Sequence, residues 1–150
     1  MTRRRTAPLV GLSALAVLAL SGCEQPTPGV TAWSGRTSEH TEAVCWSRDA
    51  ATKVDAEACA QAAKQDTVPR IEVVPGSTVG ISVDPELAEK GWFPTIGDSR
   101  LTVDPVTRTY YRFALSEQNL STDLELRVLA LGEDTATVRG LWVFQLTRAG

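Results

Sequence analysis

Between residues 68 and 147, apolar side chains recur at every second position in short runs, and each run stops at proline, glycine or aspartate. A period of two is what a pleated strand needs to keep one face buried, so this stretch is constrained to β structure. Ile71 and Val73 alternate with Arg70 and Glu72 before the Pro75-Gly76 turn. Val79, Ile81 and Val83 form the next run, which ends at Asp84-Pro85. Residues 86–90 read as one helical turn closed by Gly91. Residues 92–96 are interrupted by Pro94, which predicts an edge strand, and Gly97-Asp98 marks a turn. Thr109, Tyr111, Phe113 and Leu115 share one face, leaving Tyr110 and Arg112 on the other. Leu124, Leu126 and Val128 alternate with Glu125 and Arg127. After a hairpin-like break at 132–134, residues 137–147 are apolar on both faces, which predicts a central strand covered twice. Turn signals at intervals of about 8–12 residues favour a mainly β sandwich of about seven strands, with barrel closure as the rival architecture.

The upstream part is more mixed. Val30, Ala32 and Ser34 alternate with Thr31 and Trp33, predicting a first strand ended by Gly35, and residues 41–47 read as a second strand. Residues 49–65 are rich in alanine, and Val54, Ala58 and Ala62 make a modest stripe, predicting one short helix. Cys59 sits beside that stripe. A bridge from Cys59 to Cys45 would staple the helix to the neighbouring strand, and without it so short a helix would be marginal.

The amino terminus has a different logic. Arg3, Arg4 and Arg5 precede an apolar run over 9–20, and Leu20-Ser21-Gly22 leads into Cys23. The run is shorter than the ~20 residues that span a bilayer, so it reads as a cleaved lipoprotein signal over residues 1–22, with Cys23 as the lipidation site. Both the general secretory and the twin-arginine routes stay open. Two or more acyl chains, palmitate among them, on Cys23 would hold the chain to the membrane without a spanning helix. Residues 23–29 contain Pro26 and Pro28 and read as a short tether; residues 30–150 are the folded domain. The expected location is extracytoplasmic, where Cys45 and Cys59, left as a pair, are best placed as a disulfide.

Removing residues 1–22 takes away three arginines and no acid, deepening the net charge from −3 to −6. A negative chain is repelled by phosphate backbones, so nucleic acid is not an expected partner.

Several segments together carry a resemblance. These are residues 74–85 (VPGSTVGISVDP), the Gly91-Trp92-Phe93-Pro94 turn, Tyr110-Tyr111-Arg112-Phe113 and residues 140–146 (GLWVFQL). With the Cys23 signal, they resemble a family of small uncharacterised actinobacterial lipoproteins. The resemblance implies an immunoglobulin-like β-sandwich behind the lipid anchor, and it carries no activity or functional residues across. The immunoglobulin disulfide is not implied, because Cys45 and Cys59 are too close in sequence to join distant strands of the two sheets.

No cofactor or metal is expected. Residues 75–79 look like the opening of cupredoxin-type carriers, but a blue-copper site needs two histidines, and His40 is the one histidine. A histidine-based triad could be built only on His40, and no Gly-x-Ser-x-Gly elbow accompanies it. Glu86, Glu89, Asp98 and Asp104 near turns read as solvated acids before they read as a glycosidase pair. The aromatics give the one positive signal. Trp33, Trp46, Trp92, Tyr110 and Tyr111 stand in strand and loop positions, with Trp142, Tyr111 and Phe113 expected in the core. Trp92, with Phe93 beside it in the turn, is the candidate surface anchor for binding. The leading expectation is therefore a non-catalytic, lipid-anchored interaction module for another envelope protein. The alternative is a binder of a small molecule or cell-wall glycan, which an aromatic-lined pocket would favour.

Overall fold

The computed structural model describes residues 26–63 and 68–150. The signal segment and Cys23 lie outside the described residues.

The first strand, β1 (Val30–Ser34), forms where the alternation places it: Val30, Ala32 and Ser34 are buried, while Thr31 and Trp33 face outward. Gly35 has φ 56° and Ser34 pairs with Thr37, so a two-residue loop with positive φ at its first position folds the chain back into β2 (Thr37–Thr41). This hairpin strand is polar throughout, so alternation could not reveal it; the ladder to β1 holds it at the sheet edge. The single strand expected over 41–47 is thus replaced by β2 and the two-residue β3 (Cys45–Trp46).

The expected helix begins later than its alanines suggest. Asp49 accepts bonds from the Ala51 N–H and the Thr52 hydroxyl, so the first alanines are diverted into a turn. Asp55 then caps α1 (Ala56–Ala63) by accepting the Ala58 N–H at 3.0 Å.

The remaining strands are β4 (Arg70–Val73), β5 (Thr78–Val83), β6 (Trp92–Ile96), β7 (Ser99–Arg100), β8 (Tyr110–Ala114), β9 (Leu124–Leu131) and β10 (Val138–Arg148), with the short helix α2 (Pro85–Lys90) between β5 and β6. They form two sheets, one ordered β2-β1-β5-β8 and the other β3-β10-β9-β6-β7, with β4 also paired to β10. All the pairings are antiparallel except β4 with β10.

Of the ten strands in the described residues, seven make the sandwich; β2, β3 and β7 are short or polar additions. The arrangement is immunoglobulin-like. β1, β5 and β8 face β6, β9 and β10 as the A, B, E and C, F, G strands do, and β4 crosses over to run beside the last strand. The apolar faces meet in one core that includes Ile81 and Val79 from one sheet and Trp92, Leu126, Val128, Trp142 and Phe144 from the other. As expected, β10 is central and buried on both faces.

Two expectations about residues 92–96 are corrected. The strand is not an edge: β9 pairs along its length on one side, and β7 with a bridge from Trp92 to Val106 flanks the other. Pro94 is tolerated because its backbone points away from β9, its carbonyl accepting the Leu101 N–H at 2.9 Å, so the missing N–H breaks no bond to β9. Nor are Trp92 and Phe93 surface anchors. Trp92 is 0% exposed, and its Nε1 donates to the Arg108 carbonyl at 2.9 Å. Phe93, on the opposite side of the strand, is 2% exposed beneath the Arg100 guanidinium, 4.0 Å from the ring centre. Trp92 holds the place of the buried tryptophan on strand C of immunoglobulin domains.

Candidate binding face on the four-stranded sheet

The two sheets differ on their outer sides. On the six-stranded sheet, Leu141 and Val143 point outward from β10 and are covered by Cys59, Ala60 and Ala63 of α1. The Cys45–Cys59 disulfide, with Cα atoms 6.0 Å apart across a separation of 14 residues, ties that helix to β3 as the cysteine pairing predicts. Arg127 completes the cover. It pairs with Glu125, lies 3.3 Å from Glu57 on the helix and 3.4 Å from Asp98. Burial works against its charge, but the hydrogen bond and charge of Glu125, reinforced by Glu57 and Asp98, outweigh it and raise its pKa.

Among the described residues, the outer side of the four-stranded sheet has no such cover. Register places two rows across it: His40, Thr31, Ser82 and Tyr110 in one, and Ser38, Trp33, Gly80 and Arg112 in the next. On the central strand β5 both rows carry small residues. A Cβ on Gly80 would stand 2.1 Å from Cε2 of Trp33, so the indole lies directly against the β5 backbone, and glycine alone leaves it that room. Ser82 leaves the neighbouring row open. The result is a groove of about 580 Å³ whose lining includes Trp33, Ser82, Thr109, Tyr110 and Arg112. That volume lies within the ~300–1,000 Å³ of small-molecule sites, although this groove is open.

Its walls are amphipathic. Tyr110 is 49% exposed, and Arg108 lies over its ring at 5.6 Å. The hydroxyls of Ser82, Thr109 and Tyr110 and the guanidinium of Arg112 add polar groups to the lining. His40 is exposed, with its Nδ1 3.0 Å from the Thr31 hydroxyl, at the β2 side of the same face.

The aromatics of this face are legible in the sequence as residues but not as a site. Trp33 and Tyr110 both fall on the polar side of their alternating runs, a signal that the residue pattern alone carries. Their approach across β5 depends on strand order and register, which one sequence does not state. Trp46 and Trp142 instead sit together with ring centres 5.6 Å apart, and the buried Trp142 Nε1 donates to the Pro28 carbonyl. Among the described residues no group of three or more His, Cys, Asp or Glu side chains could hold a metal.

No family model, no curated protein and no solved structure matches this chain.

Proposed function

We propose that this chain is a lipid-anchored, extracytoplasmic recognition domain, non-catalytic, that binds a polyhydroxylated ligand of the cell envelope in the groove of its four-stranded sheet. The observation that carries the reading is that Trp33, seated on Gly80, and Tyr110 line one open groove with Ser82 between their strands. Aromatic rings offer flat apolar faces to the C–H side of a sugar, and the hydroxyls and arginine of the same lining suit its polar edge. The large exposed hydrophobics among the described residues, Val74, Val103 and Tyr110, stand on three separate segments, which supports a ligand groove over an apolar docking patch for an envelope protein. The anchor rests on the charged, apolar and small-residue order of residues 3–23.

Co-sedimentation of the full chain with isolated cell-wall polysaccharide tests the groove. Trp33→Ala should weaken binding, read from the retention curve, about thirtyfold, the scale of one aromatic hot spot. Equal retention of the two proteins would remove the groove from the account. Membrane fractionation tests the anchor separately: Cys23→Ser should move the protein out of the membrane fraction, and an unchanged distribution would sink the lipoprotein reading.

A further inference from the structure

We infer that the ligand of this groove is anionic: a saccharide bearing carboxylate or phosphate groups, with a sugar face on Trp33 and the oxyanion on Arg112. The inference rests on the groove reading above and adds the charge of the ligand to it.

The first support is where the cations of this molecule find their partners. The ion pairs of Arg127, Arg139 and Arg148 all belong to side chains on β9 and β10, in the six-stranded sheet. Beside the groove, Arg112 and Arg108 make no ion pair among the described residues, as is also true of Arg70 and Arg100 on the other sheet. Neither cross-sheet row contains a carboxylate. Asp84, the next outward position beyond Ser82, is the nearest acid, and its Oδ2 is turned to the start of β1, accepting the Gly29 N–H at 2.7 Å. In a chain of net charge −3, the two rows of this face carry Arg112 and no carboxylate, so their local sign is opposite to that of the whole. Such a face attracts anions to the groove.

The second support is geometry. Trp33 and Arg112 share a row with Gly80 between them, so their strands are two ladder spacings apart, roughly 9–10 Å. No side chain on Gly80 intervenes, and the indole is held against the strand beneath it. A ring seated on the outer face of Trp33 therefore meets the guanidinium at its far edge. Arginine's planar fork suits a carboxylate or a phosphate oxygen pair bidentately, and a neutral sugar uses only part of it. Tyr110, one row on and beneath Arg108, extends the aromatic wall along the groove, so a chain of sugars is favoured over a single ring.

Stacked rings and arginines also suit single-stranded nucleic acid. Two cations on an otherwise acidic domain neutralise few phosphates, which favours the saccharide.

Isothermal titration of the full chain with matched probes decides the matter: an oligogalacturonate, its fully methyl-esterified form, a phosphorylated oligomannoside, and a thymidine oligonucleotide. The acid form should bind about tenfold more tightly than its ester at low salt, the increment of one charge-assisted hydrogen bond at an exposed site, and the gap should shrink as salt rises. In Arg112→Gln the acid and ester forms should bind alike. Comparing the uronate with the phosphorylated probe identifies which oxyanion the site prefers. Equal affinity of wild type for acid and ester, still lost in Trp33→Ala, would overturn the charge inference and leave the groove standing. Absence of binding to every saccharide would overturn both, and tighter binding of the oligonucleotide than of either acidic saccharide would overturn the ligand class.

Discussion

The two outer faces of this sandwich meet opposite fates, and the difference shows where a small β domain can carry a binding surface. On the six-stranded sheet, β10 is apolar on both sides, so its outward Leu141 and Val143 must be covered, and α1 with its disulfide covers them. On the four-stranded sheet, β5 carries Thr78, Gly80 and Ser82 outward, and nothing there demands a lid. The same contrast separates two tryptophans. Trp92 is sealed between the sheets, whereas Trp33 leans on Gly80 with its other side toward solvent.

The largest expected effect tests that pair of tryptophans. Trp92→Ala removes a fully buried indole and leaves a cavity together with an unpaired Arg108 carbonyl, and should cost about 3–5 kcal/mol. Trp33→Ala removes a half-buried indole from an open face and should cost about 1 kcal/mol. Urea denaturation of both variants measures the difference. Comparable losses would show that Trp33 is structural, and the distinction between covered and open faces would fail.

A smaller effect concerns the cover itself. Replacing Cys45 and Cys59 with serine frees a loop of 14 residues' separation and should destabilise the fold by about 3 kcal/mol on the chain-entropy model. With α1 loosened, Leu141 and Val143 gain exposure, so dye binding to apolar surface should rise. Ligand binding on the opposite sheet should persist in the folded fraction. Loss of binding together with the staple would mean that the two faces are coupled through the core.

How far the sequence can be read follows the same division. β1, β4, β5, β9 and β10 are legible because each buries one or both faces and so shows its period in the residues. The polar β2 carries no period, since it buries no apolar face and is held chiefly by its backbone ladder to β1. The helix is legible as composition, but not its start, because Asp49 and Asp55 each redirect the local backbone. Trp92 is misplaced for a related reason. Flanking glycine and proline suggest a turn, while the pairing of residues 92–96 with β9 is tertiary and overrides that local cue. The candidate groove combines residues from β1, β5 and β8, far apart in the chain, so the residue pattern names its members without joining them.

The smallest effect is pH-dependent and falls on the covered side. Asp49 is held below the ordinary 3.8 by the Ala51 N–H and the Thr52 hydroxyl. Asp134, in the turn between β9 and β10, is lowered by the Thr137 hydroxyl and N–H, with a smaller contribution from the Ala136 N–H. The two turns touch, the Glu133 N–H donating to the Ala50 carbonyl at 3.1 Å. Because both carboxyls titrate lower in the folded chain than in the unfolded one, their stabilisation is fully present above about pH 4 and is lost as pH falls through their folded values. Amide protection at Ala51, Ala136 and Thr137, corrected for intrinsic exchange, should therefore fall below that point, while the β5–β8 ladder beneath the groove keeps its protection. Earlier loosening of that ladder would reverse the comparison, making the open face the first part of the sandwich to yield to acid.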